Sequence, residues 1–145
     1  MAQCAHIAYL DGAEAQPKYA ELGYPNHVFL EDDGAQCHII WNDNDAVLCF
    51  RGTEPSEFSD ITADLNALPS RAQTKGFVHM GFQNEVDKLW DEIMQTLNSN
   101  GILDKSYFIC GHSLGGAMAT IAAARLSETR CLYTYGSPRA GSRRF

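Results

Sequence analysis

The sequence lacks an apolar run long enough to cross a bilayer, lacks a C-x-x-C pair and lacks any excess of positive charge. A membrane-spanning helix takes roughly 20 consecutive apolar residues. The longest runs here have the length of a strand or a short helix, so no transmembrane segment and a soluble chain are expected. Eleven Lys and Arg against 18 Asp and Glu leave a net charge of -7. That balance offers no electrostatic footprint for nucleic acid or an anionic membrane surface, and it favours an uncharged substrate. The start of the chain, Met1-Ala2-Gln3-Cys4-Ala5-His6, has no basic region ahead of an apolar core. It does not read as a secretory signal, and a cytoplasmic location is expected, although a signal already removed would leave no trace. The five cysteines, Cys4, Cys37, Cys49, Cys110 and Cys131, are odd in number and mostly lie within apolar runs. They are expected to be buried, reduced thiols, and nothing in their spacing implies a metal or a cofactor.

What is present is enough apolar material for one domain: 145 residues, 45% of them hydrophobic. Residues 1–22 read as partly helical, broken at Asp11-Gly12 and Pro17. Residues 37–41 and 46–50 read as two strands of a hairpin around Asn42-Asp43-Asn44-Asp45. The stretch from Arg51 to Ser70 reads as irregular, bracketed by Pro55 and Pro69. From 83 to 97, Val86, Leu89, Trp90, Ile93, Met94 and Leu97 fall at helical spacing. Then come a strand at 107–110, a tight turn at 111–116, an Ala-rich helix at 117–126 and a strand at 131–135. Strands alternating with helices imply a mainly parallel sheet covered on both faces, an α/β fold.

One segment carries chemistry. A serine hydroxyl is a weak nucleophile unless it is held near a base and exposed where backbone donors can meet the oxyanion it creates. Gly111-His112-Ser113-Leu114-Gly115 follows an apolar strand and opens a helix, the context of a nucleophile elbow rather than of an ordinary Gly-rich loop. Gly111 and Gly115 remove side chains that would collide with the neighbouring strand and helix. The Leu114 N–H lies at the helix N-terminus, where the helix dipole favours negative charge. A second oxyanion donor comes in this fold from a loop after an earlier strand, and Arg51-Gly52-Thr53 directly follows residues 47–50.

Phe50-Arg51-Gly52-Thr53-Glu54, Asp64-Leu65, Val78-His79-Met80-Gly81-Phe82, Gly111-His112-Ser113-Leu114-Gly115-Gly116 and Thr134-Tyr135-Gly136-Ser137-Pro138-Arg139 stand in the order and spacing of the class 3, fungal-lipase-like lipases. The resemblance covers roughly residues 37–145. It implies an α/β-hydrolase fold and hydrolysis of carboxylic esters, commonly acylglycerols, through an acyl-enzyme. On that resemblance Ser113 is the nucleophile, and Thr53 and Leu114 are the oxyanion donors. The segment where such lipases place a lid holds only Phe58 and Ile61 as sizeable apolar residues, which argues for a soluble ester or monoacylglycerol rather than an interface. His112 cannot readily turn back on the adjacent serine as a base. His79 stands in a motif whose histidine is not the family's base, and it reads as a structural hydrogen-bonding residue. Asp64 reads as a support of the oxyanion loop rather than a triad acid.

The triad of this fold runs Ser, then Asp or Glu, then His. After Ser113 there is no Asp and no His, and Glu128 precedes the strand at 131–135 instead of following it. The acid and base are therefore expected from a second polypeptide or a C-terminal segment that completes the fold, covering a strand edge otherwise prone to pairing. Two alternatives use the same residues. One is a non-catalytic remnant that binds a ligand or partner, and the other is an acyltransferase that admits an acceptor in place of water.

Overall fold

A computed structural model describes residues 1–52, 68–126 and 128–145. Its elements are α1 (Ala2–Ile7), α2 (Gly12–Glu21), β1 (Asn26–Asp32), β2 (Ala35–Trp41), β3 (Asp45–Phe50), β4 (Pro69–Arg71), β5 (Phe77–His79), α3 (Met80–Ser99), a 3-10 turn (Ile102–Asp104), β6 (Ser106–His112), α4 (Leu114–Arg125) and β7 (Thr129–Tyr135). Five strands form one sheet in the order β1-β2-β3-β6-β7, while β4 and β5 form a separate hairpin.

The central strands are near-continuous apolar runs because both of their faces are covered. Alternate residues of β3 serve two cores. Ala46, Leu48 and Phe50 pack with Ile39, Ile109, α3 and α4, while Val47 and Cys49 pack with Ile40, Cys110, α1 and α2. On α3, Phe82, Val86, Leu89, Ile93 and Leu97 are buried, a stripe repeating every three or four residues as one helix face does. On α4 the buried residues are mainly Gly and Ala, which lets its backbone approach the sheet closely. Arg125 ties the two helices together by bonding Asp87 at 2.6 Å and stacking over Trp90 at 4.9 Å.

The pairing directions decide where a site can form. β1, β2 and β3 are antiparallel neighbours, whereas β6 runs parallel to both β3 and β7. The register places Phe50 opposite Gly111 and Gly111 opposite Thr134, so three carboxyl ends finish at one level of the sheet. The segments leaving them, Arg51-Gly52, Ser113 and Gly136-Ser137, meet where ligands of open α/β sheets bind.

Three expectations require correction. Pro17 does not break the N-terminal helix but lies inside α2. Asp11 caps that helix through its side chain, accepting from the Glu14 N–H at 2.9 Å, and buried Tyr19 anchors it to the sheet, so the loss of one N–H donor is tolerated. The segment read as irregular ends in β4, which pairs with β5. Cys131 is exposed, unlike the other four free cysteines, because β7 lies at the sheet margin with Leu132 and Tyr133 also exposed. Among the described residues no helix is long and apolar enough to cross a membrane.

A histidine pair beneath α2 ties stability to pH. His38 is fully buried, and its Nδ1 lies 2.9 Å from Nε2 of His27, among the rings of Tyr19 and Phe29. Burial first, then the charge of His27, lowers its pKa to about 4; burial also lowers that of His27. The unfolded chain then binds more protons than the folded one between the ordinary histidine value near 6.5 and about 4. Stability must fall as pH drops through that window, by up to about 3 kcal/mol for His38. Urea midpoints at pH 7 and pH 5 should show the loss in the wild type and a much weaker loss in His38→Phe; equal losses in both proteins would remove His38 as the cause.

Candidate active site

Ser113 occupies the turn between β6 and α4 with φ 54° and ψ -128°. This backbone conformation is costly for any residue carrying a Cβ, and it survives only where the surroundings enforce it. Here the Ser113 N–H donates to the Tyr135 carbonyl at 2.9 Å, and its own carbonyl accepts from the Gly116 N–H at 2.9 Å. The turn is thereby clamped to β7 on one side and to the first turn of α4 on the other. Ser113 is buried, and its Oγ has no hydrogen-bond partner among the described residues.

The glycines make the close approach possible. A Cβ on Gly111 would run into the Gly115 carbonyl and come within 2.8 Å of the Gly116 nitrogen. A Cβ on Gly115 would strike the Phe50 carbonyl and lie 2.7 Å from the Arg51 carbonyl carbon. The N-terminus of α4 therefore sits directly on the end of β3. As the first residue of α4, Leu114 has an N–H among those that no carbonyl within the helix can reach. Gly52 closes the other side: its Cβ would strike the His112 carbonyl, lie 2.5 Å from the Tyr9 hydroxyl and lie 3.2 Å from the Ser113 Cβ. The loop leaving β3 thus touches the serine turn.

His112 does not face Ser113 as a base would. Its Nδ1 shares a 2.7 Å hydrogen bond with the Tyr9 hydroxyl. His79 caps α3, its Nδ1 accepting from the N–H groups of Gly81 at 3.1 Å and Phe82 at 3.4 Å while its ring stacks on Phe82. Burial lowers its pKa, which keeps Nδ1 available as an acceptor. Thr53, Phe58, Ile61 and Asp64 lie outside the described residues. Ser113, Leu114, Gly111, Gly115 and His112 come together with Gly52 at the ends of β3 and β6, while His79 serves α3. Tyr9 was not legible as a neighbour of this site, since it stands 103 residues from His112 and belongs to no motif. Among the described residues no three His, Cys, Asp or Glu side chains converge as a metal site requires.

Comparison with known proteins identifies the family and the fold. The family model described as "Lipase (class 3)" matches residues 47–145. The chain is 30% identical over 163 aligned residues to Toxin TseL of Vibrio cholerae serotype O1, an alignment covering 81% of this chain and 25% of that protein. It is 39% identical over 74 residues to secreted mono- and diacylglycerol lipase 1 of Fusarium solani, covering 45% of this chain and 21% of that protein. The chain thus spans about a quarter of the length of these curated relatives. In structure it resembles a mutant of MDLA from Penicillium cyclopium with a TM-score of 0.79 at 22% identity, over 97% of this chain and 61% of the other. That likeness shows the α/β-hydrolase fold.

Proposed function

From the premise that the chain belongs to the class 3 lipase family, we propose that Ser113 is the nucleophile of a carboxylic-ester hydrolase acting on lipid esters. The observation that carries this reading is the Ser113 turn itself: a left-handed serine with an unbonded Oγ, pressed between the N-terminus of α4 and Gly52. Such strain is stored at sites where a side chain must be presented.

In the proposed reaction the Ser113 oxygen attacks the ester carbonyl carbon and passes its proton to a histidine base. The tetrahedral oxyanion is met by the Leu114 N–H and by Thr53. As the intermediate collapses, the bond to the alcohol breaks, the alcohol leaves with the proton, and water then releases the acid from the serine. The base and its carboxylate partner belong, on this reading, to protein outside these 145 residues, because no Asp or His follows Ser113 here. Monoacylglycerols and soluble short-chain esters are the substrates to try first, given the name of the Fusarium relative and the few bulky apolar residues between Thr53 and Asp64.

The test is reaction of the full-length protein with a fluorophosphonate, followed by peptide mapping, beside a short-chain nitrophenyl ester assay. The adduct is expected on Ser113, with ester turnover. A wild-type protein that neither labels nor turns over would overturn the reading in favour of a binding module that keeps the elbow without the chemistry.

A further inference from the structure

We propose that Tyr9 is a positioning residue of this site, acting through His112 to hold the serine turn against the Gly52 loop; the inference rests on Ser113 being the nucleophile. Nothing in the sequence around Tyr9 marks it. It lies in the short connection between α1 and α2, far from the motifs that build the elbow.

A residue in the Ser113 conformation relaxes unless it is restrained from both sides. On its C-terminal side the restraint is the first turn of α4, and on its N-terminal side its N–H is bonded to the Tyr135 carbonyl. On the N-terminal side the residue that sets the direction of the turn is His112, and its ring is tied down by the Tyr9 hydroxyl at 2.7 Å, with the two rings 5.8 Å apart and tilted by 58°. The same hydroxyl occupies the space into which a side chain at position 52 would project, and the Arg51 guanidinium lies over the Tyr9 ring at 5.8 Å. One phenol therefore touches both walls of the reaction centre, the serine turn and the loop that leads to Thr53.

Its own footing is firm. Cys4, Ala5, Ile7 and Ala8 before it and Ala15 and Tyr19 after it are buried against β3 and β6. The Tyr19 hydroxyl also donates to the Cys4 carbonyl at 3.2 Å. The α1–α2 pair is thus a buttress, and Tyr9 is where it meets the site. Catalysis by oriented groups is sensitive to this kind of support, since a displacement of about 1 Å costs up to ~100-fold in rate.

The experiment is a double-mutant cycle in the full-length protein. Tyr9→Phe keeps the ring and removes only the hydroxyl. It is expected to lower kcat and the rate of fluorophosphonate labelling together by about tenfold, with KM and the melting temperature held. His112→Gln should lose a similar factor, and the double variant should lose little more than either single one, because both remove the same bond. A Tyr9→Phe protein with wild-type kcat, or penalties that multiply to about 100-fold, overturns the proposal. Failure of the nucleophile reading is distinguishable, because in that case the wild type does not label at all. The contact is then still decided by the 15N resonance of His112 Nδ1 measured without substrate: movement in Tyr9→Phe supports the tie, and an unmoved resonance overturns it.

Discussion

Replacing Ser113 by glycine is expected to abolish ester hydrolysis and yet leave the protein more stable than Ser113→Ala does. Both substitutions remove the Oγ, so both should lose at least about a thousandfold in kcat. They differ in the Cβ. At φ 54° and ψ -128° an alanine keeps the clash of a side chain in a conformation that only glycine adopts freely, which costs on the order of 1–3 kcal/mol. Glycine relieves that strain but adds roughly 0.5–1 kcal/mol of chain entropy to the unfolded state. The balance favours glycine by about 1 kcal/mol, readable as a higher urea midpoint. The buried space vacated by the hydroxyl is common to both variants, so the difference between them reads the Cβ alone, its strain against its burial. Equal midpoints, or a less stable glycine variant, would mean that the strain does not exceed what the buried Cβ and the stiffer chain contribute, and would overturn the expected order.

The legible part of this site is the part that is local in sequence. Gly111, Ser113 and Gly115 lie within one turn, and the strand before them and the helix after them each have their own apolar pattern, so the elbow could be read from a window of some twenty residues. The same holds for α3, whose stripe from Val86 to Leu97 predicts a helix over 83–97; the element found is Met80–Ser99. Its start is not marked in the sequence, because the cap is the His79 imidazole, which is not among the usual capping side chains. β1 is hidden in the sequence for a different reason. Asn26–Asp32 has no clean alternation and only Leu30 is buried; it is a strand because β2 offers it a complete antiparallel ladder, a tertiary fact that overrides a weak local pattern. Tyr9 was illegible for the strongest reason. Its role depends on two helices being packed onto a sheet so that a loop residue meets a histidine far along the chain, and no local propensity encodes such a meeting.

Gly52→Ala is expected to cost about 100-fold or more in kcat while leaving the fold in place, because the methyl group has nowhere to go that does not disturb the reaction centre. It would strike the His112 carbonyl, lie 2.5 Å from the Tyr9 hydroxyl and crowd the Ser113 Cβ at 3.2 Å. The end of β3 cannot yield, since Phe50 is in register with Gly111 and the Arg51 N–H is bonded to the Gln36 carbonyl at 3.1 Å. The displacement must therefore fall on the chain that leaves Gly52, the segment from which the proposed oxyanion donor Thr53 comes. Turnover should collapse with a much smaller change in melting temperature, and labelling by the fluorophosphonate should slow in parallel, since both reactions develop charge on the same oxygen. Combining Gly52→Ala with Tyr9→Phe separates the obstacles. Removing the phenol oxygen clears one collision but leaves the backbone carbonyl of His112, which cannot be trimmed, so activity should not return. Restored turnover in that double variant would show that the glycine is required only to make room for Tyr9, and Gly52→Ala with activity within twofold of wild type would sink the close-approach account altogether.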